Sequence, residues 1–161
     1  MWRLLALGVA ALLVGAVIVF TASMIILSRK RPDLGTTDGR LRDCPSSPNC
    51  VCTQATAENA QMEPLAIQGS AAAAWDDLHA AVAARPGATI IQRTDDYLHA
   101  EFTTNTLRFI DDVELLLDAE SGVIHFRSAS RVGHSDLGAN RRRMEEIRRA
   151  FENLAKPEPS S

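Results

Sequence analysis

An uninterrupted run of apolar and small residues, Leu4–Leu27, limits most strongly what this chain can fold into. Arg3 precedes the run, and Arg29-Lys30-Arg31 follows it. A helix rises about 1.5 Å per residue, so the run is long enough to cross a hydrocarbon core of about 30 Å. We therefore predict a single-pass transmembrane anchor over residues 1–28, with the membrane as the partner of Leu4–Leu27.

A cleaved signal peptide is the rival interpretation of this run. Such a peptide has an apolar region of about 7–15 residues, followed by a small-residue cleavage site. Thr21-Ala22-Ser23 is the candidate cleavage site, but Met24–Leu27 continues the apolar run beyond it. We therefore favour an uncleaved anchor.

The remainder of the chain has room for one domain. The chain has 161 residues, and the part that remains after the anchor has the length of an ordinary single domain. The formal net charge is −3, which gives no reason to expect a nucleic acid as partner. The sequence after the anchor divides into a linker without periodicity (residues 29–43), a globular domain (44–155) and a disordered tail (156–161).

Three cysteines lie close together in the segment Cys44-Pro45-Ser46-Ser47-Pro48-Asn49-Cys50-Val51-Cys52. The prolines and Asn49 favour turns, which bring Cys44 near Cys50. A disulfide is the first interpretation, metal binding the second, and free, partly buried thiols the third. Because the spacing lacks paired Cys-x-x-Cys knuckles and no histidine lies nearby, we predict no metal site. One cysteine stays unpaired in any disulfide, and Cys52 is the expected spare.

Two features disagree about the side of the membrane on which the domain lies. Arg29, Lys30 and Arg31 outnumber Arg3 and the amino terminus, which favours a cytoplasmic domain by the positive-inside rule. A disulfide would instead require an oxidising compartment.

Hydrophobic periodicity predicts an α+β domain, an antiparallel sheet with two helices packed on one face. Ser70 caps a first helix, which buries Trp75, Leu78 and Val82 and stops at Arg85-Pro86-Gly87. The predicted strands are Met62–Ile67, Ala88–Arg93, Tyr97–Thr104, Phe109–Leu117 and Val123–Ser128. The predicted second helix runs from Leu137 to Ala155 and buries Leu137, Met144, Ile147, Phe151 and Leu154. Because a curved sheet would leave a cleft beside this helix, we expect a ligand there.

The candidate binding site lies at the loop between the last strand and the last helix. We take as candidate ligand-binding residues Arg127, Ser128, Ser130, Arg131, Asp136, Asn140, Arg141, Asp111 and Asp112. In the structural interpretation, Arg127 and Arg131 neutralise Asp111 and Asp112, with Asp112 across from the Arg127–Ser128 region. In the functional one, the same arginines bind a carboxylate or phosphate group. Asn140 falls on the buried helix stripe and needs partners, which the loop backbone would supply. The four histidines are interpreted as ordinary surface or sheet positions.

Three stretches together resemble the domain-of-unknown-function family numbered 1499. They are Cys44-Pro45-x-x-Pro48-Asn49-Cys50-Val51, Asp111-Asp112-Val113-Glu114 and Arg127-Ser128-Ala129-Ser130-Arg131-Val132-Gly133-x-x-Asp136-x-Gly138-x-Asn140-Arg141. The resemblance covers about Leu41 to Leu154 and implies no settled activity. Members are bacterial and plastid proteins, often behind a membrane or export signal, which implies a periplasmic domain on a bacterial inner membrane; a cytoplasmic domain is the alternative. The family usually has serine at Cys52, which implies Cys44–Cys50 as the pair.

Three classes of function remain open. The favoured one is a membrane-anchored module that binds an anionic or amphipathic small molecule, or an acidic partner group, at the Arg127–Arg141 loop. The second is an enzyme with Asp111 or Asp112 as acid or base and Arg127 and Arg131 holding an anionic substrate; the third is an envelope scaffold. A carboxylate with a raised pKa in an open pocket would indicate the enzyme, an apolar cavity the module, and a flat surface the scaffold. We predict no cofactor.

Overall fold

The first element, α1, is a 27-residue helix from Trp2 to Ser28. The structure, a computed structural model, describes residues 2–155; Met1 and the tail predicted over residues 156–161 lie outside the described residues. The most apolar part of α1 has a mean hydropathy of 2.7 and no buried residue, so the helix is long and apolar enough to cross a membrane. Ser28 is its one buried residue. The helix therefore touches the rest of the chain at its last turn.

The domain that follows is α+β, as predicted. Its strands are β1 (Thr36–Thr37), β2 (Arg40–Leu41), β3 (Cys50–Cys52), β4 (Leu65–Ala66), β5 (Ala88–Arg93), β6 (Tyr97–Thr103), β7 (Ile110–Asp118) and β8 (Val123–Ser130). Its helices are α2 (Ala71–Ala83) and α3 (Ala139–Leu154), with a 3-10 turn at Glu58–Ala60.

Strands β3 to β8 form one antiparallel sheet in the order β3-β8-β7-β6-β5, and β4 also pairs with β8. Short turns join β5 to β6 and β7 to β8, which confirms the predicted hairpins. A bulge between Ile90 and Gln92 interrupts the pairing of β5, the free edge strand. The predicted first strand is shorter than expected, because only Leu65–Ala66 pairs with β8.

Residues of both helices share one core with alternate residues of the sheet. Trp75, Leu78 and Val82 of α2 are buried as predicted, and the Ser70 hydroxyl caps α2 by accepting from the Ala73 N–H. The sheet contributes Leu98, Ala100, Phe102, Val113, Leu115, Ile124 and Phe126, and α3 contributes Met144, Ile147 and Phe151.

Two residues expected in this core are exposed. Leu137 precedes α3 with a φ of 53°, and 85% of its surface is exposed, so its predicted burial is wrong. It adopts a left-handed conformation before the first helical turn, off the periodic stripe of α3. Leu154 is also misplaced by the prediction, since it is 51% exposed at the last residue of the helix.

The opposite face of the sheet is covered too. The segment expected to be a linker over residues 29–43 carries the β1–β2 hairpin, and its Leu41 is 5% exposed. A second apolar cluster forms there from Leu41, Cys52, Ala55, Ala60, Tyr97 and Leu116. The strand β3, which we did not predict, brings Cys52 into this cluster by pairing with β8.

Candidate functional site

A disulfide joins Cys44 to Cys50 and closes the loop between them. This pairing confirms the first interpretation of the cysteines, and it takes two of the three thiols away from any metal ion. Cys52 is the free cysteine and is completely buried. Burial is the largest effect on its thiol and raises its pKa, which makes Cys52 a weak nucleophile.

On the helix side of the sheet, Asn140 joins α3 to β8 and to the disulfide loop. Its side chain is completely buried. Its Oδ1 accepts from the Ser128 hydroxyl at 2.7 Å, and its Nδ2 donates to the Asn49 carbonyl at 2.9 Å and to the Ser130 hydroxyl at 3.1 Å. The amide therefore finds its partners within the fold, as a buried polar group must.

Arg143 completes this helix-side cluster, and sequence reasoning missed it. Its guanidinium donates to the Asp111 carboxylate and to the Ser128 hydroxyl, and it lies 5.0 Å from the centroid of the Phe102 ring. Asp111 therefore pairs with Arg143, and with neither of the arginines expected to neutralise it. Arg143 follows Asn140 by three residues and so shares its face of the helix, which is the signal that could have found it.

On the other side of the sheet, Arg131 binds strands and helix at once. Its Nε and Nη2 each donate to the Asp112 carboxylate at 2.7 Å, and Nη2 also donates to Glu101 at 2.6 Å. Its Nη1 donates to the Ser28 carbonyl at 3.0 Å, at the end of α1. The side chain is 4% exposed. Arg131 therefore fastens the last residue of α1 to β6 and β7.

Asp112 is a paired, ionised carboxylate. Besides Arg131, it binds the His99 Nε2 at 2.7 Å, and both side chains are buried. Burial is the largest single effect and opposes ionisation, but the hydrogen bonds from Arg131 and His99 together outweigh it and lower the pKa of Asp112. The interpretation of His99 as an ordinary sheet position missed this contact.

Glu114 is buried beside Arg127 on the same face. Its carboxylate has no exposed surface and accepts from the Arg127 Nη1 at 3.2 Å, the Tyr97 hydroxyl at 2.9 Å and the Gly35 N–H at 3.1 Å. Burial and the adjacent Glu114 carboxylate raise the pKa of Tyr97, which keeps its hydroxyl a donor. Arg127 lies opposite Glu114 in the β7–β8 register and not opposite Asp112, so the predicted Arg127 pairing is wrong by two residues.

A cleft of about 500 Å³ opens between this polar row and the end of α1, and we name it the α1 cleft. Its cationic lining consists of Lys30, Arg31, Arg42, Arg127 and Arg131. Its apolar lining includes Leu27, Pro32, Leu34 and Val132, and Asp112 is its acidic residue. The cleft thus combines positive charge with an apolar wall at the point where the apolar helix ends.

Two predicted site residues lie elsewhere. Asp136 accepts from the backbone N–H groups of Gly138 at 2.9 Å and Asn140 at 2.7 Å, so it caps α3. Arg141 donates to the carbonyls of Asn59 at 3.2 Å and Gln61 at 3.1 Å. Both line a pocket of about 210 Å³ beside the disulfide loop. Arg141 thereby holds α3 against the segment between β3 and β4.

The sheet separates the other seven predicted site residues into two groups. Asp111, Ser128 and Asn140 lie on the helix side, whereas Asp112, Arg127 and Arg131 lie on the other side at the α1 cleft. Ser130 lines the cleft while its hydroxyl accepts from Asn140. The candidate site is therefore divided between the two faces of the sheet, because successive residues of a strand point to opposite faces.

The fold and these contacts define a class: an α+β domain with a covered antiparallel sheet, preceded by an apolar helix whose end contacts the sheet. The chain belongs to the family described as "Protein of unknown function (DUF1499)", whose model matches residues 40–151. The match begins after α1 and ends at Phe151 of α3. No curated protein and no solved structure matches the chain.

Proposed function

We propose that this protein is a membrane-tethered binding module that takes an anionic amphiphile into the α1 cleft. The carrying observation is the excess of positive charge in a cleft with an apolar wall. Five cationic side chains line it, while the carboxylates that pair with them are Glu101, Asp112 and Glu114. Among residues 2–155, Lys30 and Arg42 have no carboxylate within ion-pair distance. The Arg42 Nη2 donates to the Asp33 carbonyl at 2.7 Å, so the other N–H groups of Arg42 and the Lys30 ammonium are available to an anionic ligand.

Arg127 supports the same proposal. It is 7% exposed and lines the α1 cleft, yet its buried Nε has no hydrogen-bond partner among the described residues. Leaving a donor of a buried guanidinium unpaired costs free energy. An anion bound beside Arg127 would lower that cost by bringing an acceptor oxygen close to the guanidinium.

The enzyme alternative receives no support from Asp112. A general acid needs a pKa near the working pH, whereas the pKa of Asp112 is lowered and both of its oxygens are engaged by Arg131. The scaffold alternative expects a flat surface in place of a cleft. Binding is therefore the function that we put forward.

We further propose that α1 holds the protein in a bacterial inner membrane and that the domain lies on the periplasmic side. The Cys44–Cys50 disulfide supports this placement, because disulfides persist in oxidising compartments. The charge bias at Arg29–Arg31 opposes it by the positive-inside rule. In this domain, however, Arg31 pairs with Glu101, and both Lys30 and Arg31 line the cleft. Their presence therefore has an explanation other than orientation in the membrane.

Thermal unfolding of the full-length protein in a neutral detergent tests the proposal. Decyl phosphate added at about 100 times its Kd should stabilise the folded domain by about 2.7 kcal/mol and raise Tm, while decyl maltoside should not. Arg42→Gln should weaken this effect. Arg149→Gln, an exposed arginine on α3 away from the cleft, is the matched control and should keep it. If no anionic amphiphile raises Tm, or if both variants respond alike, the cleft is not the binding site.

A further inference from the structure

The position of the α1 cleft identifies the source of its ligand. We propose that the cleft binds the headgroup of an anionic phospholipid from the leaflet that surrounds the C-terminal end of α1, while the acyl chains stay in the bilayer. This inference rests on the proposed function and adds the class of amphiphile and the route by which it arrives.

The lining of the cleft changes from apolar to cationic where the chain leaves α1. Leu27 is the last residue of the apolar run and lines the cleft, and Lys30 and Arg31 follow within one turn. Ile26 and Leu27 are 68% and 56% exposed, so their side chains face hydrocarbon when α1 spans a membrane. The cleft therefore opens at the depth where lipid headgroups lie.

The end of α1 is fixed to the domain, which keeps the cleft at that depth. Arg131 donates to the Ser28 carbonyl, and Arg31 pairs with Glu101 at 2.7 Å. A cation at the last carbonyls of a helix is also favourable for the helix dipole. A headgroup from the same leaflet thus reaches Lys30 and Arg42 by lateral diffusion, without leaving the membrane surface.

The size of the cleft suits a headgroup without its chains. The cleft has a volume of about 500 Å³, within the range of pockets that hold small ligands. A phosphodiester with its glycerol fits that volume, whereas two acyl chains would exceed it. The chains then leave past Leu27 and lie along the exposed side chains of α1.

The donors of the cleft favour phosphate over carboxylate. One guanidinium in bidentate contact uses both oxygens of a carboxylate, whereas a phosphate accepts from several cationic groups at once. Lys30 and Arg42 provide such a set beside the Arg127 guanidinium, and Arg131 is already occupied by Asp112, Glu101 and Ser28. A net positive cluster also favours an anionic headgroup over a zwitterionic one.

The test compares ligands on the full-length protein in neutral detergent, with Tm and isothermal titration as readouts. The probes are dioctanoyl phosphatidylglycerol, dioctanoyl phosphatidylcholine, decanoate, glycerol phosphate and inorganic phosphate. Phosphatidylglycerol should bind at least tenfold more tightly than each of the others. Arg42→Gln and Lys30→Gln should each lose at least fivefold of that affinity, while Arg149→Gln should match the wild type. Lys30 and Arg42 are exposed and outside the ion pairs, and Arg42→Gln gives up one exposed hydrogen bond to the Asp33 carbonyl, so both variants should keep the fold.

The outcomes separate this inference from the function on which it rests. If decanoate binds as tightly as phosphatidylglycerol, the inference of a phospholipid ligand is wrong, while the proposed binding of anionic amphiphiles still holds. Equal binding of phosphatidylcholine would show that the headgroup charge is not recognised. Equal binding of glycerol phosphate or inorganic phosphate would make the ligand a soluble phosphate and the bilayer irrelevant. If phosphatidylglycerol binds but all three variants respond alike, its site lies outside the α1 cleft.

Discussion

At the scale of single residues, we expect Arg131 to contribute strongly to the stability of the domain. It binds Asp112, Glu101 and the Ser28 carbonyl, and almost none of it is exposed. Removing one partner from a buried ion pair costs about 3–5 kcal/mol. We expect Arg131→Ala and Asp112→Ala each to lower the free energy of unfolding by about that amount. A double-mutant cycle measured by urea unfolding should give a coupling energy of about 0.5–3 kcal/mol. Additive losses would contradict a direct pair.

The lowered pKa of Asp112 predicts how stability depends on pH. In the unfolded chain the carboxyl titrates near pH 3.9, and in the folded domain it titrates lower. Its ion pair thus stabilises the fold fully above about pH 4, and that stability is lost as pH falls through the folded pKa. In urea unfolding between pH 2 and pH 7, the free energy of unfolding should fall less with decreasing pH for Asp112→Asn than for the wild type. Asp95→Asn, at an exposed turn, should keep the wild-type slope.

At the scale of elements, the start of α3 depends on Asp136. The Gly138 that precedes the helix has no side chain to offer, and Asp136 accepts from two backbone N–H groups in its place. Asp136→Ala should lower the free energy of unfolding by about 0.5–2 kcal/mol, and Asp136→Asn should recover most of it. A ligand-binding role without a capping role would give the opposite result, unchanged Tm for both variants.

Leu137 provides a second test of the same helix start. Because it is exposed and holds a left-handed conformation that costs a non-glycine residue about 1–2 kcal/mol, Leu137→Gly should leave Tm unchanged or raise it. Met144→Ala, in the core, should cost about 2–5 kcal/mol. If both variants lose a similar amount of unfolding free energy, Leu137 is buried as the sequence analysis predicted.

The elements were easier to predict than their register. Periodicity located the four long strands and both helices of the domain, since each packs a regular set of apolar residues against the core, although those of β5 are only partly buried. The pairing of β7 with β8 depends on the turn between Asp118 and Val123, and the sequence there admits more than one turn length. A shift of two residues there replaced the expected Arg127–Asp112 contact with Arg127–Glu114. The contact between Arg127 and Asp111 was excluded by the alternation of side chains along each strand. Asp111 shares the core face with Val113, whereas Arg127 follows the core residue Phe126 and so points to the other face.

At the scale of the whole molecule, α1 predicts where the protein is found in the cell. Because no convincing cleavage site interrupts Leu4–Leu27, we expect the full-length chain in the membrane fraction, released by detergent and not by high salt or carbonate. Fractionation with mass spectrometry of the amino terminus measures this. A soluble form beginning near Met24 would mean that the segment is a cleaved signal.

The cysteines predict the side of the membrane on which the domain lies. With Cys44 and Cys50 paired, the unfolded protein should expose one reactive thiol, Cys52, before reduction and three after it. Thiol labelling of intact cells, with and without prior reduction, makes the measurement. Three thiols that stay protected until the inner membrane is breached would place the domain in the cytoplasm.

The bulge in β5 matters most when many copies share one membrane. If α1 anchors the protein as proposed, copies in one membrane meet in two dimensions with the same end facing the bilayer, and equivalent strands of neighbours come together repeatedly. A long, regular free edge would then act as a template for strand pairing between molecules. The break between Ile90 and Gln92 leaves no continuous row of backbone groups on β5, and Arg93 adds charge at its end. Crowding in the plane of the membrane thus need not lead to aggregation of the sheets.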